Sequence, residues 1–91
     1  MKIPQKFTLG AVQWKVSEEE VLPGVFGATN PGTAHVVVLK ELPPTVKEQT
    51  FCHELVHCIL FSMGKQAHEH DETFVDGFGT FLHQYLTQIS K

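Results

Sequence analysis

Arginine is absent from the 91-residue chain, and seven lysines are spread singly from Lys2 to Lys91, for a formal net charge of −3. Surfaces that hold nucleic acid cluster Lys and Arg to neutralise phosphates, so this composition excludes a nucleic-acid partner. Long apolar runs are also missing. No stretch approaches the ~20 residues of a membrane-spanning helix, and Met1 to Gly10 lacks the apolar core of a signal peptide. A cytoplasmic protein with no membrane partner is the expectation. Cysteine is scarce, with Cys52 and Cys58 the only two. Six positions apart in one helix-patterned run, they diverge too far to bridge, which fits a reducing compartment. Each points about 100° away from the neighbouring histidine, so both are expected to be buried packing residues rather than thiolate ligands.

Histidine and glutamate are plentiful by contrast, six and eight residues, and the length fits one domain over residues 1–91. Three of them fall together in the run His53-Glu54-Leu55-Val56-His57. Histidines four apart share one face of a helix, so His53 and His57 can reach one metal ion, while Glu54 sits at the edge of that face. There it can hold a metal-bound water without ligating the metal. Chance alone would place an H-E-x-x-H in roughly three of a hundred such chains, so the surrounding elements must decide its meaning.

A strand is expected over Lys6–Val16, with both faces partly covered because its period-two pattern is mixed. Ser17 to Glu20 reads as a polar turn or a short capped helical turn. Val25–Thr29 and the β-branched Thr33–Glu41 read as strands, joined through the Asn30-Pro31-Gly32 turn into a hairpin within a small, mostly antiparallel sheet. Thr45 and Glu48 suit a capping box for a helix over Val46–Met63, closed by a left-handed Gly64. Its apolar face is expected to be Phe51, Leu55, Cys58, Ile59 and Ser62, which leaves His53 and His57 on a face of their own. After a polar connection, Lys65–His70, Asp71 is an N-cap for a second helix, Glu72–Ile89. Phe74, Phe78, Phe81 or Leu82, Tyr85 and Ile89 form a stripe expected to pack on the first helix or the sheet. Gly77 and Gly79 predict close approach of another backbone. The fold class is α+β.

A catalytic zinc takes three protein ligands and leaves one position for water. Glu72, opening the second helix, is the best candidate for the third, with His68 and His70 as rivals. Neither histidine has the H-x-x-G-x-x-H spacing of sites completed by a later histidine. Asp76, one turn beyond Glu72, could accept from the outer ring nitrogen of a ligand histidine and fix its tautomer.

The motif followed by Glu72-x-x-Val75-Asp76-x-Phe78-Gly79-x-Phe81-Leu82 resembles the gluzincin metallopeptidases, in particular small phage and bacterial proteins of the ImmA/IrrE type. The resemblance spans residues 33 to 86. It implies a zincin-like fold of a small sheet, an active-site helix and a backing helix. It further implies one Zn2+ held by His53, His57 and Glu72, with Glu54 as general base and a peptide or protein as substrate. Two departures stand out. The step from His57 to Glu72 is shorter than in the large gluzincins, and no downstream subdomain supplies an oxyanion partner. His83 and Tyr85 would lie roughly 17–20 Å past the ligand on the second helix. His35 is the remaining candidate, with substrate extended along Thr33–Glu41. The alternative reading is a non-catalytic, metal-stabilised protein-binding module.

Overall fold

The computed structural model describes residues 1–90 and is α+β: four strands form a mixed sheet, the first of two helices packs against that sheet, and the second packs against the first. The strands are β1 (Lys6–Leu9), β2 (Val12–Glu19), β3 (Gly27–Asn30) and β4 (His35–Leu39), in the order β1-β2-β4-β3. β1 with β2 and β3 with β4 are antiparallel, whereas the central β2 and β4 run parallel. The helices are α1 (Pro44–Ser62) and α2 (Glu72–Ile89), and a single 3-10 turn, Ala67–Glu69, lies between them. No described helix is long and apolar enough to cross a membrane.

The expected first strand is two. Gly10, at φ 58°, turns the chain back after Leu9, and Phe7 pairs with Trp14 across the hairpin. The turn shifts the inward parity from odd residues in β1 to even ones in β2, which is why the linear pattern looked mixed. Phe7, Trp14 and Phe51 then pack as one aromatic group, with ring centroids 6.4 and 6.0 Å from Phe7. Ser17 to Glu19 are strand rather than turn: each pairs with β4, at Val37, Val38 and Leu39. Here pairing overrides the poor strand propensity of glutamate. Strand β4 is paired on both edges, so it has no edge left for a peptide to join.

Helix α1 begins two residues earlier than expected, because Pro44 occupies its first turn with φ already set for a helix. Thr45 therefore lies inside the helix, and the capping box with Glu48 does not form. Glu48 instead accepts from His83 Nε2 at 3.0 Å and from the Met1 amino group at 3.3 Å. These contacts, with the His83 bond foremost, hold the Glu48 carboxyl below its ordinary pKa. Gly64 does close α1, at φ 86°, with Lys65 N donating to Leu60 O and Gly64 N to Phe61 O in a Schellman arrangement.

The core lies between the sheet and α1, where Val36, Val38, Cys52 and Cys58 are fully buried beside Trp14 and Phe51. Helix α2 packs on α1 through Val75, Gly79 and His83, not through the predicted apolar stripe: Phe74, Phe78, Phe81, Tyr85 and Ile89 are exposed, and Leu82, the alternative to Phe81, is half-buried. Gly79 is the reason. A Cβ there would meet His53 Cα at 3.1 Å and His53 N at 3.2 Å, so the two helix backbones touch at that point. Gly77, for which close approach was also expected, has nothing within 4 Å of such a Cβ. The two glycines should therefore respond oppositely. Gly77→Ala should stabilise by about 1 kcal/mol through helix propensity, and Gly79→Val should destabilise by about 1–3 kcal/mol through overpacking against a backbone that cannot yield. Thermal melting of both variants checks this.

Candidate metal centre

The contact at Gly79 sets the start of α2 beside the middle of α1, and there three donor groups converge. His53 and His57 both turn Nε2 toward Glu72: His53 Nε2 lies 3.4 Å from Oε2 and His57 Nε2 3.2 Å from Oε1. The donor atoms of the three residues all fall within 4.8 Å of one another. Ligands held tetrahedrally at ~2.0–2.1 Å from one ion stand about 3.4 Å apart, so this trio could hold a metal ion. His53 and His57 are largely covered while the Glu72 side chain is 68% exposed, which leaves one side of the group open.

The far ring nitrogens explain why both Nε2 atoms are available as ligands. Asp76 Oδ1 lies 2.9 Å from His53 Nδ1, as the E-x-x-x-D spacing predicted. A carboxylate there accepts the Nδ1 proton and leaves the lone pair on Nε2. His57 has a different partner: its Nδ1 lies 2.7 Å from Nδ1 of His70, whose Nε2 is 3.2 Å from the carbonyl oxygen of Lys65. A carbonyl can only accept, so His70 donates from Nε2 and accepts at Nδ1. His57 must then donate from Nδ1, which frees its Nε2. Burial, the largest influence on His57, pushes its pKa below the usual histidine value and favours the neutral ring that a metal needs.

His70 was a rival third ligand in the sequence. It lies instead against the outer nitrogen of His57, braced by the Phe61 ring with centroids 4.4 Å apart. His70→Ala should weaken metal binding by about 10–100-fold while the trio stays intact, as measured by competition with a chromophoric chelator. His68, the other rival, lies exposed in the 3-10 turn outside the group. Asp71 caps α2, accepting from Thr73 N at 2.9 Å and Phe74 N at 3.2 Å. Cys52 and Cys58 are free and buried, and burial pushes their thiols up to about 11 and about 12, so neither offers a thiolate.

Glu54 lies on the side of the motif that faces the sheet and is 7% exposed. Thr29 on β3 donates its hydroxyl to Glu54 Oε1 at 2.7 Å. β3 comes this close because residue 27 is glycine: a Cβ there would stand 2.8 Å from Thr50 Cγ2 and 3.0 Å from Val37 O. Glu54 and His53 share an open cleft whose walls include Val25, Phe26 and Gly27 on one side and Gln49 and Thr80 on the other. Sequence reasoning missed both Thr29 and Gly27. Their partners are 25 and 23 residues away, beyond any local pattern.

His35, the expected oxyanion candidate, does not reach this cleft, and His83 and Tyr85 lie away from it as expected. His35 sits on the sheet face away from α1, opposite Val36 and Val38, and hydrogen-bonds to Ser17 Oγ at 2.7 Å. His83 is buried against Glu48, and Tyr85 lies on the exposed stripe. No protein-family model, curated protein or solved structure matches this chain.

Proposed function

We propose that the chain is a minimal zinc metallopeptidase of gluzincin type, with a zincin-like arrangement of sheet, motif helix and backing helix. One observation carries this reading. Both motif histidines present Nε2 to Glu72 while Asp76 and His70 hold their Nδ1 protons, and Glu54 stands apart from the trio in the adjoining cleft. His53, His57 and Glu72 would hold the ion. Zinc, when bound, supplies a Lewis acid and a water of lowered pKa.

The remaining chemistry falls to side chains of the chain itself. Thr29 engages Oε1 of Glu54 and fixes the carboxylate, so Oε2 takes the proton from water and returns it to the leaving amine. Gln49, one turn before His53 in the same cleft, is the carboxamide donor available to a substrate carbonyl in place of His35. The substrate strand is assigned to β3 rather than to Thr33–Glu41, because β3 is an edge of the sheet and its first residue lines the cleft. Val25 and Phe26, both exposed on that rim, favour an apolar substrate side chain beside the scissile bond.

Incubation of the purified protein with a mixed peptide library, with and without chelator, tests the proposal. Cleavage that chelation stops and added zinc restores supports it. Metal-dependent melting without cleavage of any peptide would instead support the non-catalytic binding module, from the other class of function.

A further inference from the structure

We infer that the outer face of α2 is the interface of a two-fold homodimer in which the α2 helices of two copies pack antiparallel. At 100° per residue, Phe74, Phe78, Phe81, Tyr85 and Ile89 fall within an arc of about 80°, turned away from the line Val75, Gly79 and His83 that packs on α1. All five are at least half exposed, Phe81 most of all at 70%. Phe74 and Phe78 already pack side by side, their rings tilted by 39° with centroids 5.6 Å apart.

The area suits a protein partner. Half-exposed side chains of this size present about 100 Å² each, roughly 500 Å² together. That is at the upper end of patches on monomers, and about two thirds of what each partner contributes to a standard interface.

Charge selects a second copy and its direction. From Gly77 to Ser90 no Asp, Glu, Lys or Arg occurs, so the same face of another copy meets no like charge. The acids Asp71, Glu72 and Asp76 are confined to the first turns of the helix. A parallel pair would bring both sets together, whereas an antiparallel pair separates them by roughly the 27 Å length of the helix. The two-fold arrangement also leaves both metal centres at opposite ends, away from the contact. A lipid surface is a poorer match, because helices that lie on membranes carry Lys and Arg along their polar face and α2 has neither.

Sedimentation equilibrium of the full chain tests this at about 100 µM, where interfaces of this class are populated. The expected mass is that of a dimer. Phe81→Glu and Phe78→Glu, both at exposed positions, should halve it while leaving helix content and metal uptake unchanged. Residue 81 lies near the midpoint of the face, so Phe81→Cys should cross-link to itself on mild oxidation. Phe74→Cys should do so only when Ile89→Cys is present as well. The proposal is overturned by a monomeric wild type, whether free in solution or co-sedimenting with phosphatidylcholine vesicles. It is equally overturned by a dimer indifferent to both Glu substitutions, or by self-cross-linking of Phe74→Cys alone.

Discussion

Replacing Glu54 by glutamine is expected to leave metal uptake and melting temperature unchanged and to lower peptide hydrolysis by about 10²–10⁴-fold, the usual contribution of a positioned general base. Glutamine keeps the size of the side chain and its Oε1 still accepts from Thr29, so the wall between α1 and β3 is preserved. It cannot take a proton. Alanine would be a poorer test, since it would remove the shorter of the Thr29 hydroxyl's two bonds, leaving only the 3.4 Å contact to the residue 54 carbonyl, and open a cavity at a buried position. The measurement is the turnover rate on a cleaved peptide, paired with metal analysis of the same sample. Full activity in the glutamine variant would remove Glu54 from the chemistry.

His57→Ala should reduce metal affinity at least as far as loss of an outer partner does, by more than ~100-fold, and should abolish the effect of metal on stability. A ligand present at a hundred times its Kd stabilises the folded state by about 2.7 kcal/mol, which in a domain of this size raises Tm by about 10–20 °C. The wild type is therefore expected to lose that increment on chelation, and His57→Ala to melt at one temperature with or without metal. His57 touches Glu72 through Nε2 and His70 through Nδ1, so its loss removes a donor and leaves His70 without its partner. The pH dependence follows from its depressed pKa. The neutral ring that binds metal persists to lower pH than an ordinary histidine allows, and uptake is lost as pH falls through that depressed value.

The helical half of the protein was legible in the sequence because its signals are local. Asp71, Glu72, Gly64 and the H-E-x-x-H step each act within one or two turns, and α2 and the close of α1 fall where they indicate. Asp76 was readable for the same reason, one turn from Glu72 on the same helix. The sheet was less so. A two-residue turn at Gly10 inverted the inward parity, and parallel pairing with β4 recruited Ser17 to Glu19 against their own preference. The aromatic stripe of α2 misled because amphipathic spacing marks an apolar face without saying what covers it. Contact with α1 was decided by Gly79, whose missing side chain admits the His53 backbone, and by His83, which a hydropathy pattern scores as polar. His70 lay in plain view two residues before Glu72, yet which ring nitrogen it turns to His57 depends on the Lys65 carbonyl, a backbone atom that no sequence pattern displays.

The proposed function requires His53, His57 and Glu72 to hold one metal ion. Crystals of the unsubstituted protein grown with zinc, measured on both sides of the zinc absorption edge, address it most directly. A single anomalous peak is expected within ~2.0–2.2 Å of His53 Nε2, His57 Nε2 and a Glu72 oxygen, with Asp76 and His70 on the Nδ1 atoms and Glu54 outside the coordination sphere. A map with no peak between these residues, or with its peak on other side chains, would contradict it.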